Sequence, residues 1–299
     1  MLFRQTNYLT AKSFPLAWVI LAPFLAYFAV FGLYPVAFSL YLGTVHWVGL
    51  QDAPVFNGWD NFVAFFQDST YTDALGSSLF LGGLIMVVSV VVGLAGAYVI
   101  NLGIRGTKVH RIVWYLPAVL PAIAVTQVFA LFLNPSGGVF NAILAQFGME
   151  PQAWSSSYFW MVFWIVVYAS WKGIGATMIL WLAGLQAISR EIYEQASIDG
   201  ANRVTTFFRI TLPLLSSIGV YVIITGFVGA IQVFDPVMFI SRTAPFGQTH
   251  VLVTRVFQDF YGNLNFGMAG ASALVMTAVV GIFTLLTLRY YKKQGGSHA

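Results

Sequence analysis

Long apolar stretches alternate with short polar ones along these 299 residues. Six apolar stretches, at about Pro15–Tyr34, Leu75–Asn101, Val109–Leu133, Tyr158–Leu182, Pro213–Phe234 and Phe266–Arg289, approach the roughly 20 residues a helix needs to cross a bilayer. The pattern predicts an all-α transmembrane protein of six helices, with residues 1–299 forming a single membrane domain. An even number of crossings returns both ends to one side. On that side fall Arg4, Lys12, Arg105, Lys108, Arg111, Arg190, Arg203, Arg209, Arg289, Lys292 and Lys293, and on the other Arg242 and Arg255. Basic residues accumulate on the cytoplasmic face of membrane proteins, so both termini of this multi-pass chain are expected in the cytoplasm. The first span is too long and aromatic for a cleaved signal and is followed by no small-residue cleavage site, so it reads as a retained anchor.

Composition narrows the class further. The chain is 59% hydrophobic and 8% charged, beyond the apolar share of about half that soluble domains carry. There is no Cys, which excludes disulfides, thiolate metal sites and thiol catalysis. The net charge of +4 is dispersed and tracks the membrane faces, so no nucleic-acid partner is expected and membrane lipid is. His46, His110, His250 and His298 are scattered without ligand spacing, which argues against a metal. No G-x-x-x-x-G-K-[ST] loop is present to hold nucleotide phosphates, and no G-x-S-x-G nucleophile setting either. The chain is therefore expected to be no enzyme and to bind no cofactor itself.

The loop from residue 43 to 73 carries Asp52, Asp60, Asp68 and Asp73 without a Lys or Arg, and faces outward. Its segment FNGWDNFVAFF is amphipathic and suits a short interfacial helix with Trp59 near the headgroups. In the third span, LPAVLP places Pro117 and Pro121 where each removes a backbone hydrogen bond and kinks the helix. Such breaks persist in lipid only where protein or a wet path satisfies the freed carbonyls. Lys172 lies in the middle of the fourth span and must face something polar. Two roles stand open: a ligand on a transport path, or a tether to carbonyls, to Asp235 or to a partner. Gly173 and Gly175 beside it permit close approach of a helix or a ligand. Gly226, Gly229, Gln232, Phe234 and Asp235 follow in the fifth span before Pro236 is expected to break it. With Tyr168, Trp171, Lys172 and Gly173 they combine polar atoms and flat apolar rings, the mixture that binds sugars.

The most polar stretch is REIYEQASIDGANRVTTFFRITLP, residues 190–213. It predicts a helix from Glu191 to Asp199, a stop at Gly200, a second helix from Ala201 to Ile210, and Pro213 opening the next span. Glu194, Ala196, Gly200, Ile210, Leu212 and Pro213 stand at the spacing of the Glu-Ala-Ala loop of permease subunits of binding-protein-dependent ABC importers, with Gln195 in place of the first Ala. The chain resembles that family, most closely its carbohydrate branch of maltose, trehalose and glycerol-3-phosphate permeases, from about residue 57 onward. The resemblance implies a type I, maltose-permease-like fold of six helices with its core at about 70–293. It implies a cytoplasmic coupling loop at 190–213 that includes Asp199, and a place in the cytoplasmic (inner) membrane of a bacterium or archaeon. It implies a heterodimer with a second permease, two ATPase subunits that bind ATP and Mg, and an extracytoplasmic substrate-binding protein. The cargo it implies is a mono-, di- or oligosaccharide, or a phosphorylated polyol, which some relatives accept and Lys172 suits. An ion-coupled secondary transporter is the alternative; it needs intramembrane carboxylates or an internal repeat, and Asp235 is its one candidate acid.

Overall fold

The computed structural model describes residues 14–240 and 250–293, with side chains from Trp18 onward. Arg4, Lys12, Arg242, His298, both chain ends and residues 241–249 of the last outer loop lie outside the described residues. The protein is an all-α membrane fold. Among the described residues, five helices are long and apolar enough to cross a bilayer, or six if one sharply bent pair counts as a single span.

The first crossing is longer than its apolar composition suggests. Helix α1 (Phe14–Phe28) passes through a π-helical turn at Ala29–Leu33 into α2 (Tyr34–Gly43), so Pro35 does not stop it. Pro35 follows closely on the π turn, the wider turn that accommodates its missing donor inside the continuous helix. The most apolar window of this span buries nothing inside the chain, which leaves its faces to lipid or another subunit. A two-residue hairpin, β1 (Val45–His46) against β2 (Val55–Phe56), leads to α3 (Asp60–Gln67), the amphipathic helix expected in this loop. Asn61 and Phe65 face inward from α3, while Trp59, Val63 and Phe66 are exposed. Asn61 donates to the carbonyls of Gly43 and Val45 and so fixes α3 on the end of the first span.

Helix α4 (Ser69–Asn101) is capped by Asp68, whose carboxylate accepts from the Thr70 N–H at 2.8 Å. The third crossing departs from a single kinked helix. It is two helices, α5 (Thr107–Val119) and α6 (Ala122–Phe132), meeting at 90°. Pro117 stays inside α5, and the break falls at Leu120 and Pro121, because Pro121 lacks a donor and forces its predecessor out of the helical region. Outside, α7 (Val139–Gln146) is fastened through Asn141, which accepts from the Gln152 N–H and the Trp154 indole.

The central element is α8 (Tyr158–Ala187), which packs along α4, α5, α12 and α13. A short link leads to α9 (Arg190–Ile198) and then α10 (Arg203–Thr206), capped by the Asn202 side chain. From there the chain stays helical through a π-helical turn at Phe207–Thr211, α11 (Leu212–Leu214) and α12 (Ser216–Ile231). Pro213 therefore sits inside a helical run instead of opening it. The wider π turn just before it is the local adjustment that accommodates the missing donor. The next break comes at Gln232 to Phe234, ahead of Pro236, which lies in the first turn of α13 (Asp235–Ile240). Helix α14 (Leu252–Phe257), a π-helical turn at Gln258–Gly262 and α15 (Phe266–Lys293) complete the chain.

Glycines set the closest crossings. A Cβ on Gly175 would meet the Trp114 carbonyl and stand 2.7 Å from the Tyr115 Cα, so α5 and α8 touch backbone to backbone there. A Cβ on Gly82 would lie 3.1 Å from the Ile231 Cα, which brings α12 onto α4. Around these crossings lie two apolar clusters. One, with Ile85, Ile165 and Ala230, lies toward the N-terminal half of α8; the other, with Ala97, Met178, Trp181 and Leu215, lies toward its C-terminal half.

Candidate functional site

Two regions carry the candidate chemistry, and α8 joins them. At its C-terminal end, α9 turns its small residue inward: Ala196 is buried, whereas Glu194 and Asp199 are exposed. Gly200 has φ +77°, and its N–H and that of Ala201 close onto the carbonyls of Ser197 and Ala196, at 3.2 and 2.9 Å. This is the left-handed helix stop that Gly adopts without a steric cost. Tyr193 packs the element back onto the bundle, its hydroxyl accepting from Thr211 at 3.3 Å. Ile210 is half-buried, while Leu212 and Pro213 are exposed. The expected helix, glycine stop and second helix are all present, with the second starting at Arg203 after the Asn202 cap.

An apolar crest on this loop extends from Ile198, which the sequence offers for contact, to Val204 and Phe208, which it does not single out. Ile198, Val204 and Phe208 are 84%, 67% and 62% exposed on the most polar stretch of the chain. Val204 and Phe208 stand between charged residues, and that contrast was the available signal. Two cavities flank Tyr193. One, of about 630 Å³, is lined by Asn101, Gln186, Arg190 and Glu194; the other, of about 320 Å³, is lined by Tyr98, Arg203 and Thr206.

At mid-membrane, the Lys172 ammonium donates to the carbonyls of Pro117 at 3.1 Å and Leu120 at 2.8 Å. These are the last-turn carbonyls of α5. Pro117 is the residue whose carbonyl the Pro121 N–H would otherwise have reached, so the lysine fills the vacancy that the proline makes. One turn earlier on α8, Tyr168 is 2% exposed and donates to the Ala122 carbonyl at 3.0 Å, while the Thr126 hydroxyl donates to the Tyr168 oxygen at 2.6 Å. Fully buried Thr126 was not singled out from sequence, because nothing local distinguishes it from other span threonines.

The remaining pathway candidates are less enclosed. Trp171 is 36% exposed, with its ring 5.9 Å from that of Phe129. Gly173 packs against Ser89, a Cβ there standing 3.3 Å from its Oγ, and so serves a helix crossing. Gly229 has open space beside it, and Gln232 is exposed where α12 ends. Phe234 and Asp235 are half-buried; the Phe234 ring lies 5.1 Å from that of Phe257. Helix α13 packs on α6 and α8, and Ile240 shares an apolar cluster with Tyr168 and Leu133. The fold thus gathers Tyr168, Trp171 and Lys172 around the α5–α6 break, with Asp235 on the neighbouring element.

Comparisons with known proteins bear on this arrangement. The chain is 29% identical over 288 residues to the sn-glycerol-3-phosphate transport system permease protein UgpA of Escherichia coli O157:H7, covering 93% of this chain and 95% of that one. It is 29% identical over 295 residues to the diacetylchitobiose uptake system permease protein NgcF of Streptomyces coelicolor, covering 91% and 81%. In fold it matches a chain of a bacterial alginate ABC transporter in complex with an alginate pentasaccharide-bound periplasmic protein, with TM-score 0.81, 23% identity, and coverage of 95% and 96%. A second structure, of a bacterial ABC transporter that imports alginate, matches with TM-score 0.82 at 22% identity over 95% and 96%. The family described as binding-protein-dependent transport system inner membrane component matches residues 89–294, the stretch that holds both regions, and to that family the chain belongs.

Proposed function

We propose that the protein is one permease of an ATP-driven ABC importer that moves a neutral sugar delivered by an extracytoplasmic binding protein. The observation that carries this reading is the exposed helix–glycine–helix loop with its apolar crest of Ile198, Val204 and Phe208, a surface with no packing role inside the chain. Two ATPase subunits, which bind ATP and Mg, dock there, with both termini of the permease on the same cytoplasmic side. A second permease completes a heterodimer and covers faces such as the exposed one of the first span, which packs on α15 only toward its end. ATP closes the ATPase pair, the loop passes that motion to α8 and α12, and the cavity between the permeases opens outward to receive cargo.

Trp171, Gly229, Gln232, Phe234 and Asp235 supply the path. Sugar hydroxyls need directional partners and sugar C–H faces stack on rings, which these side chains provide. The named relatives differ in cargo, one being a glycerol-3-phosphate and one a diacetylchitobiose permease. A phosphate needs a cation to hold it in a low-dielectric path. Lys172, the cation at mid-membrane, is turned to carbonyls of its own chain, which favours a neutral sugar.

The test is ATP hydrolysis by the reconstituted complex with its binding protein, across mono- and disaccharides and glycerol 3-phosphate. Stimulation by one or more neutral sugars is expected. Stimulation by glycerol 3-phosphate alone would overturn the cargo assignment and leave the permease role standing.

A further inference from the structure

The broken third span is held from one face of a single helix. Tyr168 and Lys172 are four residues apart on α8, so they project one above the other. Lys172 grips the last turn of α5 through Pro117 and Leu120; Tyr168 grips the first turn of α6 through Ala122 and, by way of its hydroxyl, Thr126. Between the two grips lie Leu120 and Pro121, where the backbone turns through 90°. A corner with unpaired carbonyls in lipid needs polar partners, and α8 supplies them. The other end of α8 is Ala187, separated from the loop helix α9 by Ile188 and Ser189. Ile188 packs against the cluster of Met178, Trp181 and Leu185, so the link is not a slack one.

We propose that Tyr168 and Lys172 are positioning residues of transport, a clamp that makes α6 follow α8 when the cytoplasmic loop moves. The proposal rests on the ATP-driven import reading and deepens it. Helix α6 continues outward to α7, whose Phe140 ring stacks 5.1 Å from that of Trp164 on α8. The outer end of the unit is therefore tied by apolar packing, and the corner by charge-assisted hydrogen bonds. With the corner held, a displacement begun at α9 reaches the outward-facing half of the third span as a rigid movement. With the corner released, α5 and α6 hinge at Pro121 and the displacement dissipates there.

The experiment uses the complete reconstituted transporter with Lys172→Met, Tyr168→Phe and Lys172→Arg, and spin labels at Leu131 on α6 and Phe159 on α8, both exposed. In the wild type, the α6–α8 distance is expected to be the same in nucleotide-free and ATP-trapped states. In Lys172→Met and in Tyr168→Phe the distance broadens or becomes state-dependent. Cargo moved per ATP falls at least about tenfold in Lys172→Met, which loses two hydrogen bonds from a charged group, and severalfold in Tyr168→Phe, which loses neutral ones, while KM for cargo stays within about twofold. Lys172→Arg, which keeps the donors, restores coupling. If Lys172→Met fails to assemble, Tyr168→Phe keeps the ring and its packing and carries the test alone. An unchanged distance together with unchanged cargo per ATP would overturn the clamp, as would a raised KM with coupling intact, which marks cargo contact. A wild-type complex that takes up no cargo with ATP contradicts the import reading instead.

Discussion

Glycines in this bundle divide into those that a side chain would collide with and those beside open space, and the division gives a direct stability contrast. Gly175→Ala drives a methyl group into the α5 backbone at Trp114 and Tyr115. Neither backbone can give way without separating the helices, so a loss of about 1–3 kcal/mol is expected, read as a lower melting temperature of the solubilised protein. Gly229→Ala, with open space around it, is expected to leave the melting temperature unchanged or raise it. A second residue-scale prediction concerns Asp259 in the outer segment, which is 2% exposed. Burial pushes its carboxyl above the usual carboxylate range, against the opposing pull of Asn263, Tyr71 and Arg255. The folded state therefore holds this proton to higher pH than the unfolded chain does. Its contribution is present at acid pH and is lost as pH rises through the elevated folded value. Hydrogen exchange in residues 252–262 is expected to speed up across that window beyond its intrinsic pH dependence. Asp259→Asn is expected to flatten the change; a wild-type profile that follows the intrinsic dependence alone would contradict it.

At the scale of elements, the loop is the part whose charge has no structural use inside the chain. Glu194 is exposed and contributes its backbone, not its carboxylate, to the contact with Ser197. Glu194→Lys is expected to leave membrane assembly intact while cargo-stimulated ATP hydrolysis and uptake fall together. Uptake at the wild-type rate would remove the docking role. The third span makes the complementary prediction. Pro121→Ala returns an N–H that can reach the Pro117 carbonyl and so competes with Lys172. The corner is expected to straighten and the maximal uptake rate to fall, with the protein still reaching the membrane. Here sequence legibility ran out in a definite way. The prolines announced a break, but two prolines four residues apart do not say which one turns the chain, and the 90° angle depends on what α8 offers at Tyr168 and Lys172. Likewise Pro213 and Pro236 marked irregularities correctly but on the wrong side of each: a π turn absorbs the first, and the second begins a helix.

At the scale of the whole molecule, hydropathy sufficed for the class and for five of the six expected crossings, because lipid forces every span to satisfy its backbone internally. The starts at Tyr158 and Phe266 and the end at Asn101 match the observed helices, and the loop motif placed Gly200 in the residue where the left-handed stop occurs. What remained illegible was tertiary. Whether Lys172 faced cargo or carbonyls depended on which element approaches Gly175: the glycine beside the lysine permits a close neighbour, but that α5 comes there at Trp114 is not written locally. The exposed apolar residues Ile198, Val204 and Phe208 find no cover among the described residues of the chain, and the first span packs on α15 only toward its end in α2. In the proposed importer, energy from ATP enters through that crest. The direct measurement is cargo uptake by proteoliposomes holding the full complex and its binding protein, driven either by ATP on the ATPase side or by an imposed proton or sodium gradient. The account predicts accumulation with ATP, insensitive to ionophores and abolished by a non-hydrolysable analogue; accumulation on the gradient without ATP would contradict it.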